Sequence, residues 1–312
     1  MQGKSHVLIV PSGPLTGLAF QVLVTDAIDP QSPRPFKEAR WLIRDHAISI
    51  LPFAAALTLL REMPAGSSAS EALFGIADPR FEDCADDEPE RPAQLAMSDM
   101  YRGLSPDPDA GCKLVRLPES RAEVTRAAEG AGEGKRELLF GAEASEHQLK
   151  ARSEDGSLAQ YRVLMFATHG HIAGEISGFA EPGLSLSADT AHGEDGYLSA
   201  SEISDLKLNA DWVILSACNT AAGEQPGAEA LSGLASSFFF AGARALLVSH
   251  WRVYSDAAVT LTTGTFDAIA RRPGTRRAEA LRQAMLAMID GSRVADAHPA
   301  RWAPFVLIGD GR

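Results

Sequence analysis

Apolar residues in this chain fall into short, nearly unbroken runs separated by segments of helical spacing. Arg162–Ala167 (RVLMFA), Trp212–Leu215 (WVIL), Ala245–Val248 (ALLV) and Ala303–Ile308 (APFVLI) read as strands. His6–Val10 (HVLIV) reads as a buried strand closed by the turn Pro11-Ser12-Gly13-Pro14. Glu229–Ala241 carries Leu231, Leu234, Ala235 and Phe238 at helical spacing. Asp256–Arg271 and Arg276–Asp290 are helical in pattern and are parted by Pro273-Gly274. Phe53–Glu62, Ser120–Glu129 and Ala144–Ala151 predict further, shorter helices. Near-continuous apolar strands alternating with helices predict an α/β protein with a mostly parallel sheet covered on both faces. The acid- and proline-rich segment Asp78–Pro92 and the segment Gly103–Gly111 read as solvated loops. Residues 78–111 are therefore expected to form an irregular, partly mobile insertion in a single domain over 1–312.

Composition narrows the function classes. With 312 residues, the chain can bury a substantial core. A net charge of −12 argues against a nucleic-acid partner, which needs a basic stripe. No apolar run is long enough to span a bilayer, and Pro11 to Pro14 interrupt any signal-peptide core, so a cytoplasmic protein without a membrane partner is expected. The three cysteines, Cys84, Cys112 and Cys218, form no CxxC pair, which argues against a structural zinc site or a disulfide framework.

The chemistry-bearing residues cluster after strands, where open α/β sheets bind ligands. RVLMFA is followed by Thr168-His169-Gly170-His171, and WVIL by Ser216-Ala217-Cys218-Asn219. The gap is 218 − 169 = 49 residues, room for a surface excursion between two neighbouring strands. An imidazole beside a thiol can take its proton, stabilise the thiolate and later protonate a leaving amine. The N–H groups of Gly170 and Cys218 are candidates for an oxyanion hole, Gly170 because it lacks a side chain. The bland alternative is that Cys218 is a small core residue. His169 and His171 could instead be an HxH metal pair, but no second ligand cluster is evident, so no metal and no cofactor are expected. No phosphate loop or dinucleotide fingerprint is present.

Six runs, in order, resemble the CHAT-domain family of caspase-like cysteine peptidases, related in fold to caspases and separase. They are HVLIVPSGPLTGLAFQVL (6–23), FGAEASEHQL (140–149), FATHGH (166–171), GYLSASEISDLKLNADWVILSACNTAAGE (196–224), SSFFFAGARALLVSHWRV (236–253) and HPARWAPFVLIG (298–309). The resemblance implies a three-layer α/β/α caspase-like fold, a His169/Cys218 dyad and Gly170 as an oxyanion donor. By analogy with caspase-like enzymes it also implies a substrate channel shaped by Ser249, His250, Trp251, Arg252 and Asp256. Trp251 has a second reading, as a cap on the core. Two positions depart from the pattern: Ser12 stands where the family often carries Asp, and Asn219 where it often carries Glu. An acid at the rim would suit a basic P1 side chain; Ser12 in its place favours an uncharged one. No helical repeat region precedes the first strand here, so the chain is expected to be a piece of a longer protein or to rely on a separate recruiting or regulatory protein.

Three functions remain open at this level. The first is an endopeptidase acting on protein or peptide substrates under regulation, which family analogy sets in a bacterial stress, defence or cell-death pathway. The second is a non-catalytic peptide-binding or signalling module on the same fold. The third is acyl transfer on a small amide or ester.

Overall fold

The computed structural model describes residues 3–62, 64, 66–81, 114, 116–174, 179–217, 233–251 and 253–311. Its strands are β1 (His6–Ile9), β2 (Ala47–Ile50), β3 (Glu71–Pro79), β4 (Arg136–Gly141), β5 (Tyr161–Ala167), β6 (His169–His171), β7 (Gly183–Ser185), β8 (Tyr197–Ser199), β9 (Trp212–Leu215), β10 (Leu246–Ser249) and β11 (Phe305–Ile308). Eight of them form one sheet in the order β1-β2-β11-β10-β9-β5-β3-β4, and a smaller sheet has the order β6-β7-β8. In the large sheet every neighbouring pair is parallel except β10 with β11. That single reversal divides it. β10, β9, β5, β3 and β4 run one way, and β11, β2 and β1 run the other.

Alternation along the strands builds two cores. Val163, Met165, Trp212, Ile214, Leu247, Phe305 and Leu307 enter one, roofed by the helices Glu119–Gly130, Ser255–Arg271 and Arg277–Asp290. Leu164, Phe166, Val213, Leu215, Leu246, Val248, Val306 and Ile308 enter the other, under the helices Glu146–Glu154, Ala200–Asp205 and Gly233–Ala241. Burial on both faces is why these strands read as unbroken apolar runs. The result is the three-layer α/β/α fold with a mostly parallel central sheet. Among the described residues no helix is long and apolar enough to cross a membrane.

Several elements differ from the sequence reading. β1 is the edge of the sheet, and all four of its residues are half-buried, not buried. β3 was not apparent. Gly75 interrupts its apolar run because the helix Glu119–Gly130 packs against it, and a Cβ at Gly75 would collide with Val124. β3 also runs through Asp78 and Pro79, where the loop was expected to begin. Asp78 is fully buried, its carboxylate held by Arg116 at 2.6 Å and Arg121 at 2.5 Å. It takes the left-handed backbone (φ 46°), and its N–H donates to Ser120 Oγ at 3.0 Å. The rest of the expected insertion, from residue 82 on, lies outside the described residues, as does Gly103–Gly111.

Candidate active site

Strand register brings the predicted tips together. β5 and β9 are adjacent and parallel, with Phe166 opposite Leu215. The ladder continues as Ser216 N–H donates to the Phe166 carbonyl at 2.8 Å. On the other side of β9, Leu247 of β10 lies opposite Ile214. Ser249, two residues on, is fully buried and its hydroxyl donates to the Ala217 carbonyl. Ala217 is thus fixed at the carboxyl end of β9, between the ends of β5 and β10. Cys218, its next residue, lies outside the described residues, as do Arg252, Cys84 and Cys112.

After Thr168 the chain leaves the large sheet and enters β6. Thr168 is fully buried and its hydroxyl donates to the Ser185 carbonyl at 2.5 Å, which ties the end of β5 to β7. β6 and β7 pair antiparallel, with His169 opposite Ser185 and Gly170 opposite Leu184. Gly170 therefore lies on the outer strand of the small sheet. His169 is 1% exposed, and the Phe81 ring packs against its imidazole with centroids 5.6 Å apart. His171 is also buried, with Nε2 2.8 Å from Ser185 Oγ. Burial, with a smaller effect from His169, pushes the His171 pKa down to about 3. It is neutral at physiological pH and adds no charge beside His169.

The residues expected to shape a substrate channel separate. Ser249 is inside the protein, so its part is to hold backbone, not to touch substrate. His250 is half-buried; its Nε2 has no hydrogen-bond partner among the described residues, and burial pushes its pKa down to about 4. Trp251 is half-buried against the core, its Nε1–H donating to the Ala300 carbonyl at 3.3 Å, which is the core-capping geometry. Asp256 is bound to Arg301 and, at 3.4 Å, to Arg293, so its carboxylate joins two helices and a loop. Ser12 is exposed after β1, four strands from β9 and about 19 Å across the sheet. β1 also runs opposite to β9, so its carboxyl end faces the other end of the sheet. The structure does not bring Ser12 to the His169 end.

Phe81, Ser185 and the Asp78 ion pairs were not apparent in sequence, since each acts through a residue distant along the chain. One other cluster has ligand-like spacing among the described residues: Glu146, Glu194 and Glu202. Lys150 occupies its centre, with Nζ 3.0, 2.6 and 2.8 Å from the three carboxylates. Neither His169 nor His171 belongs to it.

The family model for the CHAT domain matches residues 1–310. The chain belongs to the CHAT domain family. No curated protein sequence matches this CHAT domain chain. Among solved structures it is similar to the Arg-specific cysteine proteinase gingipain R, with a TM-score of 0.53 at 10% identity over 98% of the chain and 63% of that protein. The complex of Porphyromonas gingivalis RgpB pro- and mature domains gives 0.54 at 10% identity, over 99% and 65% respectively. The Saccharomyces cerevisiae separase–securin complex gives 0.46 at 12% identity, over 84% of this chain and 14% of that one. The chain thus spans less than two thirds of the length of each. The gingipain likeness shows a caspase-like fold, the architecture of a group of cysteine peptidases.

Proposed function

We propose that this CHAT domain is a cysteine endopeptidase in which His169 and Cys218 act as a dyad on protein substrates. The observation that carries the reading is the pairing of β5 with β9. It sets Thr168 and Ala217, the residues just before the histidine and the cysteine, at the same end of adjacent strands. In this reading His169 accepts the thiol proton and the Cys218 thiolate attacks the scissile carbonyl carbon. A C–S bond forms, and the carbonyl oxygen becomes an oxyanion held by the N–H groups of Gly170 and Cys218. Collapse of the intermediate breaks the C–N bond as the imidazolium gives its proton to the leaving amine. Water, activated by the same imidazole, then hydrolyses the thioester. Losing one oxyanion donor costs roughly 10²–10³ in turnover.

Burial fits the reading. His169 is walled by Phe81 and lies beside His171, whose pKa burial pushes down to about 3. His250, whose buried Nε2 has no hydrogen-bond partner among the described residues, is kept as a substrate-site candidate beside the Ser249 anchor. Asp256 and Ser12 are left out of the substrate site, the first because Arg301 and Arg293 hold it, the second because of its distance. The deciding experiment is proteome-wide mapping of new peptide termini with the wild type against Cys218→Ala and His169→Ala. Cleavage events lost in both variants, with the fold intact by circular dichroism, support the dyad. Wild-type cleavage by either variant removes it.

A further inference from the structure

We propose that a cavity beside the β1 edge binds a small molecule carrying one phosphate group, held by Arg272 and Arg276. The cavity has a volume of about 630 Å³, within the range of small-molecule sites. It lies between the starts of β1 and β2 and the loop that joins the helices Ser255–Arg271 and Arg277–Asp290. β1 is four strands from β9, about 19 Å across the sheet, so this is not the candidate active site. Ser5, His6 and Ala47 form one wall, and the Ala47 N–H donates to the Ser5 carbonyl at 2.8 Å.

The opposite wall is a tight turn. The Thr275 N–H donates to the Arg272 carbonyl at 3.0 Å, and the Thr275 hydroxyl donates to the same oxygen at 2.7 Å. Pro273 fixes its own φ, and Gly274 takes φ 88°, as the second and third residues of such a turn require. The turn therefore holds Arg272 at its first position and Arg276 just past its last, both on the cavity wall before any ligand arrives. Among the described residues neither guanidinium has a hydrogen-bond or ion-pair partner. The carboxylate that shares the cavity, Glu279, is engaged instead by Arg282 at 3.1 Å and Gln283 at 3.1 Å. Arg276 acts across the cavity: burial lowers the His6 pKa most, and the Arg276 charge lowers it further, against Asp310 and Glu279. Two cations left without a carboxylate in one concavity stand out in a chain of net charge −12. A phosphate monoester carries about −1.5 to −2 charges at neutral pH and matches two guanidinium forks, whereas a carboxylate brings one charge. Glu279 repels a second anionic group, so the rest of the ligand is uncharged.

Isothermal titration calorimetry of the full chain with glucose 6-phosphate, glucuronate and glucose tests the proposal. Glucose 6-phosphate should bind saturably with a Kd below about 1 mM. Glucuronate should bind at least about fivefold more weakly, and glucose not detectably. Arg272→Gln combined with Arg276→Gln should weaken glucose 6-phosphate binding about tenfold or more. Arg126→Gln, on the helix Glu119–Gly130, should leave it unchanged. All three arginines are exposed, so the variants should keep the fold, which circular dichroism checks. Glucose 6-phosphate that fails to saturate, binds equally well to the double variant, or binds no better than glucuronate overturns the proposal. No readout here uses Cys218, so the result stands apart from the dyad reading.

Discussion

Two polar clusters lie on opposite edges of the three-stranded sheet, and they handle burial in opposite ways. On the β6 edge, His169, His171, Thr168 and Ser185 are buried; the Thr168 hydroxyl donates to the Ser185 carbonyl, and His171 Nε2 lies 2.8 Å from Ser185 Oγ. Around β8, Glu146, Glu194 and Glu202 surround Lys150. In the first cluster desolvation pushes the His171 pKa down and keeps that imidazole neutral. In the second, burial lowers the Lys150 pKa but the three carboxylates raise it by more, so the ammonium stays charged. Glu146 has the least solvent of the three, and burial pushes its pKa up to about 7 despite the ammonium. Charge pairs hold the scaffold around β8, whereas hydrogen bonds of Thr168 and His171 to Ser185 tie the β6 edge to β7.

The sharpest way to break this contrast is to remove the cation. Lys150→Met strands three carboxylates around a buried site, and breaking a buried pair from one side costs about 3–5 kcal/mol. The lower end is expected here because Lys150 is a quarter exposed. Adding Glu146→Gln to Lys150→Met should return a good part of the loss, because the most buried charge is then gone. Thermal denaturation at pH 7.5 checks both. A Lys150→Met variant as stable as the wild type would mean the cluster contributes nothing to the scaffold.

The same contrast predicts opposed pH slopes. Glu146 has a folded pKa near 7 against an ordinary value of 4.5, so between those limits the folded state binds more protons than the unfolded one. Its contribution therefore falls as pH rises through this window, by no more than about 3 kcal/mol. His171, with a folded pKa near 3 against 6.5, does the reverse. The unfolded state binds more protons from pH 3 to 6.5, so stability rises with pH there and is lost as pH falls. His250 acts in the same sense, with its folded pKa near 4. In the wild type these slopes oppose one another from pH 4.5 to 6.5. Glu146→Gln should leave a steeper rise of Tm with pH, and His171→Gln a shallower one. Tm curves for the two variants that stay parallel to the wild type would refute the assignment.

What the sequence disclosed follows this physics. β5, β9, β10 and β11 were legible because both of their faces are buried, so their side chains are apolar almost without interruption. β2 was not, because Ser49 lies in the middle of its four residues, where its hydroxyl meets His6 Nε2 at 2.5 Å. β4 begins with Arg136 and Glu137, and β3 contains Gly75 and, next to its last residue, a buried aspartate, Asp78, whose partners lie 38 and 43 residues away. At the site, the place of His169 after a strand was legible. The direction of β1 was not, because a reversal between β10 and β11 leaves no mark in composition, and Ser12 was consequently set at the wrong end of the sheet. Ser249 was noticed for its position, but a hydroxyl's choice of the Ala217 carbonyl is a tertiary fact.

A smaller test concerns Asp256, which shares the charge-pair logic of the Lys150 cluster but lies nearer the surface. Its side chain is 43% exposed and its partners are Arg301 and Arg293. Exposed pairs are worth about 0.2–1 kcal/mol and weaken with salt. Arg301 is mostly buried, stacks over Tyr254 and has a second partner in Asp296 at 2.9 Å, so it is not stranded when Asp256 changes. Asp256→Asn should therefore lower stability by about 0.5 kcal/mol, an effect that shrinks in 1 M salt. It should leave the pattern of cleaved sequences unchanged, because a carboxylate held by two arginines has little left to offer a substrate. A shift in that pattern at constant stability would return Asp256 to the substrate channel and show that charge pairs near this edge serve recognition as well as the scaffold.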